Sequence, residues 1–532
     1  MQHSNLPEEA PLSFHDKSRI QNPESRIQLS SAQLITKAHK TWAHKTPKKE
    51  KTPNQMSLFF HLSLSPSLKK MPSFLNLHSK TLITLPLLIF STLFIIYLLL
   101  THTRLPVPIP RSVPDPPPTS SSLQHIVFSI ASSSKSWPKR NPYLRIWYNC
   151  TPEIRAYVFL DRINTITNTD DLPPLLISED TSRFPYTYKS GLRSAIRVSR
   201  IVKEIVDRNL TGVRWFVFGD DDTVFVPMNV AKTLSKYEWE RWWYVGSNSE
   251  SYDQNVKYSF DMAFGGGGFA LSYPVARVLA KVFDKCLVRY SGLYGSDSRV
   301  FSCLAELGVG LTHEAGFHQV DVRGDLFGML STHPLTPLVS LHHLDYIEPI
   351  FPTMNRTRAL EHLFEAVKAD PQRIFQQNVC YDHSRTWTLS ISWGYAVQIF
   401  EGNQLLPDLL QLQRTFVPWK RNVNIHSSPY MFNSREFPKD PCQRPVVFFM
   451  ESVSSHKNGI QSNYSRYLVK NCSRNTSLLE KIRVFSQKLE LDVGQLQAPR
   501  RHCCDILHST SDKEMEIGIR QCRDEELISM TH

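Results

Sequence analysis

Apolar residues divide the chain into an anchor-like block, a proline-rich gap and a long mixed region. Thr81 to Leu100, TLITLPLLIFSTLFIIYLLL, is uncharged over 20 positions, about the ~20 residues a helix needs to span a bilayer core. Beyond residue 122 the pattern becomes an α/β rhythm. Residues 124–131 (QHIVFSIA), 154–160 (IRAYVFL) and 174–179 (PLLISE) read as strands, with a short basic helix or turn over 137–148. Residues 190–209 read as an amphipathic helix, because Val198, Ile201, Val202, Ile205 and Val206 share one face at helical spacing. The next apolar run, Trp215 to Phe218, predicts a buried strand, and Pro227 starts a helix reaching Tyr237. Strands alternating with helices predict an α/β fold, a parallel sheet covered on both faces. Further on, residues 390–400 (SISWGYAVQIF) alternate as a strand of a β-rich unit.

Charge and cysteines orient this layout. Residues 1–80 hold 12 Lys/Arg against 5 Asp/Glu, +7 of the net +12, which places the N-terminus on the cytoplasmic side. This segment is Ser-, Lys- and Gln-rich and reads as a disordered tail, with Met56 and Met71 as later possible starts. All nine cysteines and all six Asn-x-Ser/Thr sequons (Asn149, Asn209, Asn355, Asn463, Asn471, Asn475) follow the anchor, as an oxidising lumen requires. Nine is odd, so one thiol is free or pairs between chains, leaving a disulfide-linked or non-covalent oligomer open. Residues 101–122, with seven prolines from 105 onward, read as an extended stem. No basic stripe interleaved with aromatics follows, so nothing points to nucleic acid.

The candidate chemistry starts where the Trp215–Phe218 run ends in Asp220, Asp221 and Asp222. Three adjacent carboxylates beyond a strand repel one another. Either they hold a divalent cation with a diphosphate, or they form an acidic turn capping the next helix. Gly265 to Gly268 are either a flexible loop or a place where backbone approaches a ligand; their spacing is not a dinucleotide fingerprint. Asp297, in YGSDSRV, is either a helix N-cap or a general base. His342 and His343, in LHHLD, are candidates to complete a metal site, or simply structural. Trp387, Trp393 and Trp419 fit a core better than a sugar-stacking platform.

Taken in order, the acidic triplet, GGGGFALS, YGSDSRV and LHHLD resemble the Fringe-like glycosyltransferases of glycosyltransferase family 31. The phrases VGSNSES, GFHQVDVRGDLFG and PLVSLHHLD, with Cys503-Cys504, resemble a plant branch of that family with a cysteine-bearing C-terminal region. The resemblance covers about residues 120–530. It implies a GT-A (Rossmann-like) domain over 123–375 and a disulfide-containing lumenal region over 376–532, behind a cytoplasmic tail, anchor and stem. It implies a single-pass type II protein of the Golgi that moves a hexosyl group from a UDP-sugar to a glycan or glycoprotein hydroxyl. Transfer would be metal-dependent with inversion, forming a beta-1,3 linkage. By position, Asp222 matches the direct Mn2+ ligand, with Asp220 and His343, less closely His342, beside it. Asp220 and Asp221 match donor-binding carboxylates, Gly266 and Gly267 the glycines lining the sugar pocket, and Asp297 the catalytic base. Trp137 and Arg145 fall loosely in the early donor-side segment. The competing expectation is an inactive carbohydrate-binding or partner subunit on the same fold; a metal-dependent phosphohydrolase is a third.

Overall fold

The computed structural model describes residues 89–97 and 122–532, apart from 152, 163–168, 422–428, 458, 470–478, 509–510 and 531–532. Met1–Pro108 and Ile109–His532 are separate compact units. In the first, residues 89–97 are helical with exposed apolar side chains. The predicted tail, the rest of the predicted anchor, and the stem up to residue 121 lie outside the described residues. Among the described residues no helix is long and apolar enough to cross a membrane.

The second unit is built on a seven-stranded sheet. Its strands are β1 (Ile126–Ala131), β2 (Arg155–Leu160), β3 (Leu175–Ile177), β4 (Trp215–Asp220), β6 (Tyr244–Gly246), β7 (Phe269–Ser272) and β8 (Leu311–His313). They lie in the order β3-β2-β1-β4-β7-β6-β8. The first four are parallel, as the strand–helix alternation predicts. The sheet is nevertheless mixed, not wholly parallel: β7 runs antiparallel to both β4 and β6.

Both faces of the sheet are buried. Along β1, Ile126, Phe128 and Ile130 enter one apolar core, and Val127 and Ala131 enter the other. The second core is covered by α2 (Ser194–Val206), α5 (Tyr273–Arg289) and α6 (Ser296–Glu306). The predicted stripe of α2 is inside, led by Ile201, Val202 and Ile205. Cys286 and Cys303 form a disulfide that joins α5 to α6. The first core lies under α1 (Trp137–Tyr148) and α3 (Pro227–Leu234), which starts at Pro227 as predicted. The same core continues through α7 (Arg356–Ala369) into the C-terminal region, taking in Ile391, Val397, Phe448, Ile482 and Ile517.

That region is β-rich, as its alternation suggests. It forms an eight-stranded sheet, ordered Gln377–Asp382, Trp387–Ser392, Ala396–Glu401, Val446–His456, Gly459–Arg466, Lys481–Ser486, Glu514–Arg520 and Cys503–Leu507. Residues 390–400 are two antiparallel strands of a hairpin, not one strand. The chain reverses through Trp393 and Gly394, whose φ of 75° favours glycine. Trp393 is fully buried. The vicinal cysteines also find a structural reason. Successive side chains of a strand point to opposite faces, so Cys503 bonds Cys522 and Cys504 bonds Cys380. Cys442 is also disulfide-bonded, and Cys150 is a half-buried free thiol.

Two short ladders lie beside this frame. β5 (Val224–Phe225) pairs antiparallel with β11 (Ser340–Leu341), which pairs parallel with β9 (Phe317–His318). Residues Val322–Gly324 (β10) pair with Phe416–Pro418 from the C-terminal region.

A buried histidine pair, one member of it in β9, couples stability to pH. His333 and His318 face each other through Nε2 at 2.9 Å, and His333 Nδ1 donates to the Pro334 carbonyl. Burial, then the neighbouring His318, push the His333 pKa down to about 3. An unfolded chain takes up a proton below about pH 6.5 that the folded His333 refuses, so stability drains as pH falls. Lowering pH from 7.5 to 5.5 is expected to remove about 1 kcal/mol through this group. Urea denaturation of the wild type and of His333→Gln at the two pH values checks this: the wild type is expected to lose about 1 kcal/mol more than the variant.

Candidate active site

The site forms where β4 ends. Residues Ala131 and Asp220 are partners in the β1–β4 ladder, so the residue after β1, Ser132, comes beside Asp221. Ser132 Oγ and Ser136 Oγ donate to Asp221 Oδ2 at 2.7 and 2.6 Å, and Arg140 Nη1 donates to Oδ1 at 2.9 Å. Asp221 is buried and fully occupied by these partners. It therefore organises the turn, held by protein groups at the position where a donor-binding carboxylate is expected. The structural anchor is a product of α1, whose first turn delivers Ser136 and Arg140 together.

Asp222 is buried in a different way. Its side chain is 1% exposed, and neither carboxylate oxygen receives a hydrogen bond. Two cationic groups approach Oδ1 instead: Arg140 Nη1 and His342 Nε2, both at 3.1 Å. Burial opposes its charge, but His342 and then Arg140 hold its pKa down to about 2. Asp220 is the open member of the triplet, with a side chain 41% exposed and Oδ2 3.8 Å from His342 Nε2. Oxygens of Asp220 and Asp222 and a ring nitrogen of His342 all lie within 4.8 Å of one another, close enough for one metal ion. Among the described residues the other such group, Cys503, Cys522 and Glu526, cannot ligate because both cysteines are in a disulfide.

Backbone register decides which histidine joins this cluster. Leu341 pairs with Val224 in the antiparallel β5–β11 ladder, so the following His342 falls beside the acidic turn. Leu341 also pairs with His318, which sets the Gln319 carbonyl 3.2 Å from His342 Nδ1. That contact holds the proton on Nδ1 and aims Nε2 at the carboxylates, a familiar way to orient a ligating histidine. Burial lowers the His342 pKa, but Asp222 outweighs it and carries the group up to about 9. A proton on Nε2 and a divalent cation are thus alternative means of neutralising the same carboxylates.

His343, the expected third ligand, is directed elsewhere. Its φ of 55° is left-handed, and its Nδ1 lies 3.2 Å from Asp321. The ring is sandwiched between His342, at 3.9 Å, and Trp419, nearly parallel at 4.2 Å. Trp419 follows the Phe416–Pro418 segment that pairs with β10. The C-terminal region therefore supplies a wall of the site, and Trp419 is not simply core filler. Trp387 is only half-buried, beneath Arg385.

The four glycines make the site possible. A Cβ on Gly265 would stand 2.5 Å from Asp297 Oδ1, and one on Gly266 only 2.1 Å from His342 Cε1. On Gly267 it would meet the backbone of Gln319 at 2.9 Å, while Gly268 has φ +88°. Gly267 N donates to Gln319 Oε1 at 2.6 Å, and Thr223 Oγ1 donates to Gly266 O at 2.7 Å. These glycines serve the close approach of protein groups to one another.

Asp297 sits in the first turn of α6, whose N-cap is Gly295, so it is not the cap. It lines a small hollow together with Asp220, Gly265 and Phe218. Ser296 Oγ donates to its Oδ1 at 3.0 Å, and burial raises its pKa above the usual carboxylate value. The loosely placed early residues lie away from the cluster. Trp137 is buried in the core, and Arg145 pairs with Asp171 at the surface. Arg140 is the residue of that helix that reaches the acidic turn. It is separated from Arg145 by five residues, about 140° around a helix of ~3.6 residues per turn, so only one of the two faces the site.

A family model described as "Protein of unknown function, DUF604" matches residues 254–504. The matched span includes the glycine run, Asp297, His342 and Trp419, and begins after the acidic triplet. No curated protein matches the chain.

The tightest of these contacts gives a direct test. Gly266→Ala must move either the glycine loop or His342, and overpacking of this kind costs about 1–3 kcal/mol. Gly310→Ala, which meets nothing within 4 Å of its added Cβ, should leave thermal stability nearly unchanged. Thermal denaturation of the two variants is the measurement.

Proposed function

We propose that this chain is a metal-dependent, inverting glycosyltransferase using a UDP-sugar donor and a glycan or glycoprotein hydroxyl as acceptor. The observation that carries the proposal is the meeting of Asp220, Asp222 and His342 at the end of β4, with Asp297 on the same hollow. A sheet whose central parallel strand ends in the site is where α/β folds place nucleotide ligands. The order of sequence motifs resembling family 31 supplies the substrate class, and the motif-bearing residues Asp220, Asp222, Asp297 and the glycines lie together.

Asp220, Asp222 and His342 would hold Mn2+ or a similar cation. Two carboxylates and one imidazole suit such an ion, and the unbonded oxygens of buried Asp222 want a cation. The cation's contribution would be to offset negative charge on the departing diphosphate. Arg140, 3.1 Å from Asp222 and 3.5 Å from Asp345, supports the same region with fixed positive charge. Asp297 takes the acceptor hydroxyl proton as that oxygen bonds to the anomeric carbon. The bond from that carbon to the diphosphate breaks with its electron pair, UDP leaves, and one displacement inverts the centre. A carboxylate whose pKa is raised by burial is better matched to accept this proton. The disulfides among the described residues fit an oxidising compartment, in line with a Golgi protein whose catalytic unit is lumenal.

Calorimetric titration of residues 109–532 with UDP, with and without Mn2+, tests the donor site. Metal-dependent binding is expected, with at least a tenfold loss in Asp222→Ala and in His342→Ala and a smaller loss in His343→Ala. Metal-independent binding, or none by a folded protein, would leave the carboxylates as a structural turn and favour a non-catalytic module. Asp297→Asn should bind UDP and Mn2+ normally while lowering transfer by 10²-fold or more, roughly the range of general-base catalysis. Full transfer by that variant would assign the base elsewhere.

A further inference from the structure

A cluster of exposed rings adjoins Asp297. Tyr188, Tyr252, Phe260 and Tyr294 are 38%, 41%, 37% and 42% exposed, with Tyr258 half-buried among them. Tyr294 is the hub: Tyr188 meets it edge-on at 5.3 Å, and Tyr258 stacks on it at 5.9 Å. Tyr252 and Phe260, at the two ends of the short segment that carries Tyr258, meet each other at 5.4 Å. Isolated exposed rings are ordinary, but the contiguous series Tyr188, Tyr294 and Tyr258, with the Tyr252–Phe260 pair close by in sequence, marks a binding surface.

Two connections tie the cluster to the candidate base. Tyr294 lies three residues before Asp297, at the entry to α6. Tyr258 packs against Phe264 at 6.1 Å, and Phe264 is followed by Gly265, the glycine against which the Asp297 carboxylate lies. An acceptor that gives its proton to Asp297 must lay the rest of its body on the surface beside that carboxylate. Here that surface is aromatic, and four of its five rings are phenols. Lys257 is held over Tyr258 and Tyr294, at 4.8 and 5.6 Å, while Asp253 and Asp261 stand exposed nearby. One lysine against two aspartates leaves no excess of positive charge here, so the surface does not favour an anionic occupant. Aromatic faces beside hydrogen-bonding hydroxyls suit a body that is apolar on one face and wet on its edges. A pyranose ring has that character.

We infer that Tyr294 and Tyr258, with Tyr188, Tyr252 and Phe260 around them, form the acceptor platform, and that the acceptor is a neutral saccharide stacked by its C–H face. This deepens the glycosyl-transfer proposal and rests on Asp297 being the base. A second copy of the chain seated on these rings is the rival occupant.

Saturation-transfer NMR with cellobiose, lactose, β-1,3-galactobiose and N,N′-diacetylchitobiose, in the presence of UDP and Mn2+, tests it. At least one should receive saturation at its ring C–H protons. That binding should fall tenfold or more in Tyr294→Ala and Tyr258→Ala, be largely kept in Tyr294→Phe, and leave UDP affinity unchanged. Equal binding by the alanine variants, or binding of none of the four sugars while UDP binds normally, overturns the platform. Concentration-dependent dimerisation lost in Tyr294→Ala overturns it in favour of the second copy. Loss of UDP binding in the wild type would instead count against the donor site, and sugar binding that persisted without UDP would still support the platform.

Discussion

Three carboxylates in a row at the end of a buried strand cannot all be accommodated in one way, and the surrounding structure follows from that. Each carboxylate is neutralised differently. Asp221 is satisfied by Ser132, Ser136 and Arg140. Asp222 is closed off from water, with Arg140 and His342 both 3.1 Å from its Oδ1. Asp220 stays partly in solvent. Repulsion among charges at this spacing is strong in a low-dielectric environment. A fixed arginine on α1 and a buried histidine after β11 are therefore requirements of the turn, whatever ligand it binds.

Meeting those requirements draws distant parts of the chain together. Arg140 arrives from the helix after β1, and His342 from a two-residue ladder more than 100 positions later. The glycine run makes the convergence sterically possible, since side chains at Gly265 and Gly266 would occupy the positions of Asp297 and His342. Trp419 reaches the same place from the C-terminal region, stacked on His343. That region shares its apolar core with the seven-stranded sheet. Its contribution to the site is then a matter of packing, and the boundary near residue 375 separates sheets more than it separates cores.

Local chemistry was legible wherever one short segment carried all the information. The buried strand ending at Asp220, the stripe of α2, Pro227 at a helix start and the β-rich C-terminal region follow from periodicity and turn residues. The grouping of Asp220, Asp222, Asp297 and the glycines was different: it was an expectation carried by the resemblance to family 31, since each of these residues by itself also fits a plain structural role. Mixed strand direction was not legible, because an apolar run such as Phe269–Ser272 reads the same in either direction. Nor was the hairpin within residues 390–400, where alternation continues through a tight reversal at Gly394.

By itself, then, the sequence determined which side chains are available: an acidic triplet, a glycine run, a lone carboxylate and a pair of histidines at fixed positions. Tertiary structure alone decided which of them face one another. His342 and His343 differ by one residue, and a one-residue change of register exchanges the faces of a strand. Only the pairing of Leu341 with Val224 and His318 determines that His342 meets Asp222 while His343 turns to Trp419. Arg140 and Arg145 differ in the same way, by their angle around a helix. Side-chain chemistry is local and can be read from composition and spacing. Orientation depends on contacts made by residues far away in the chain.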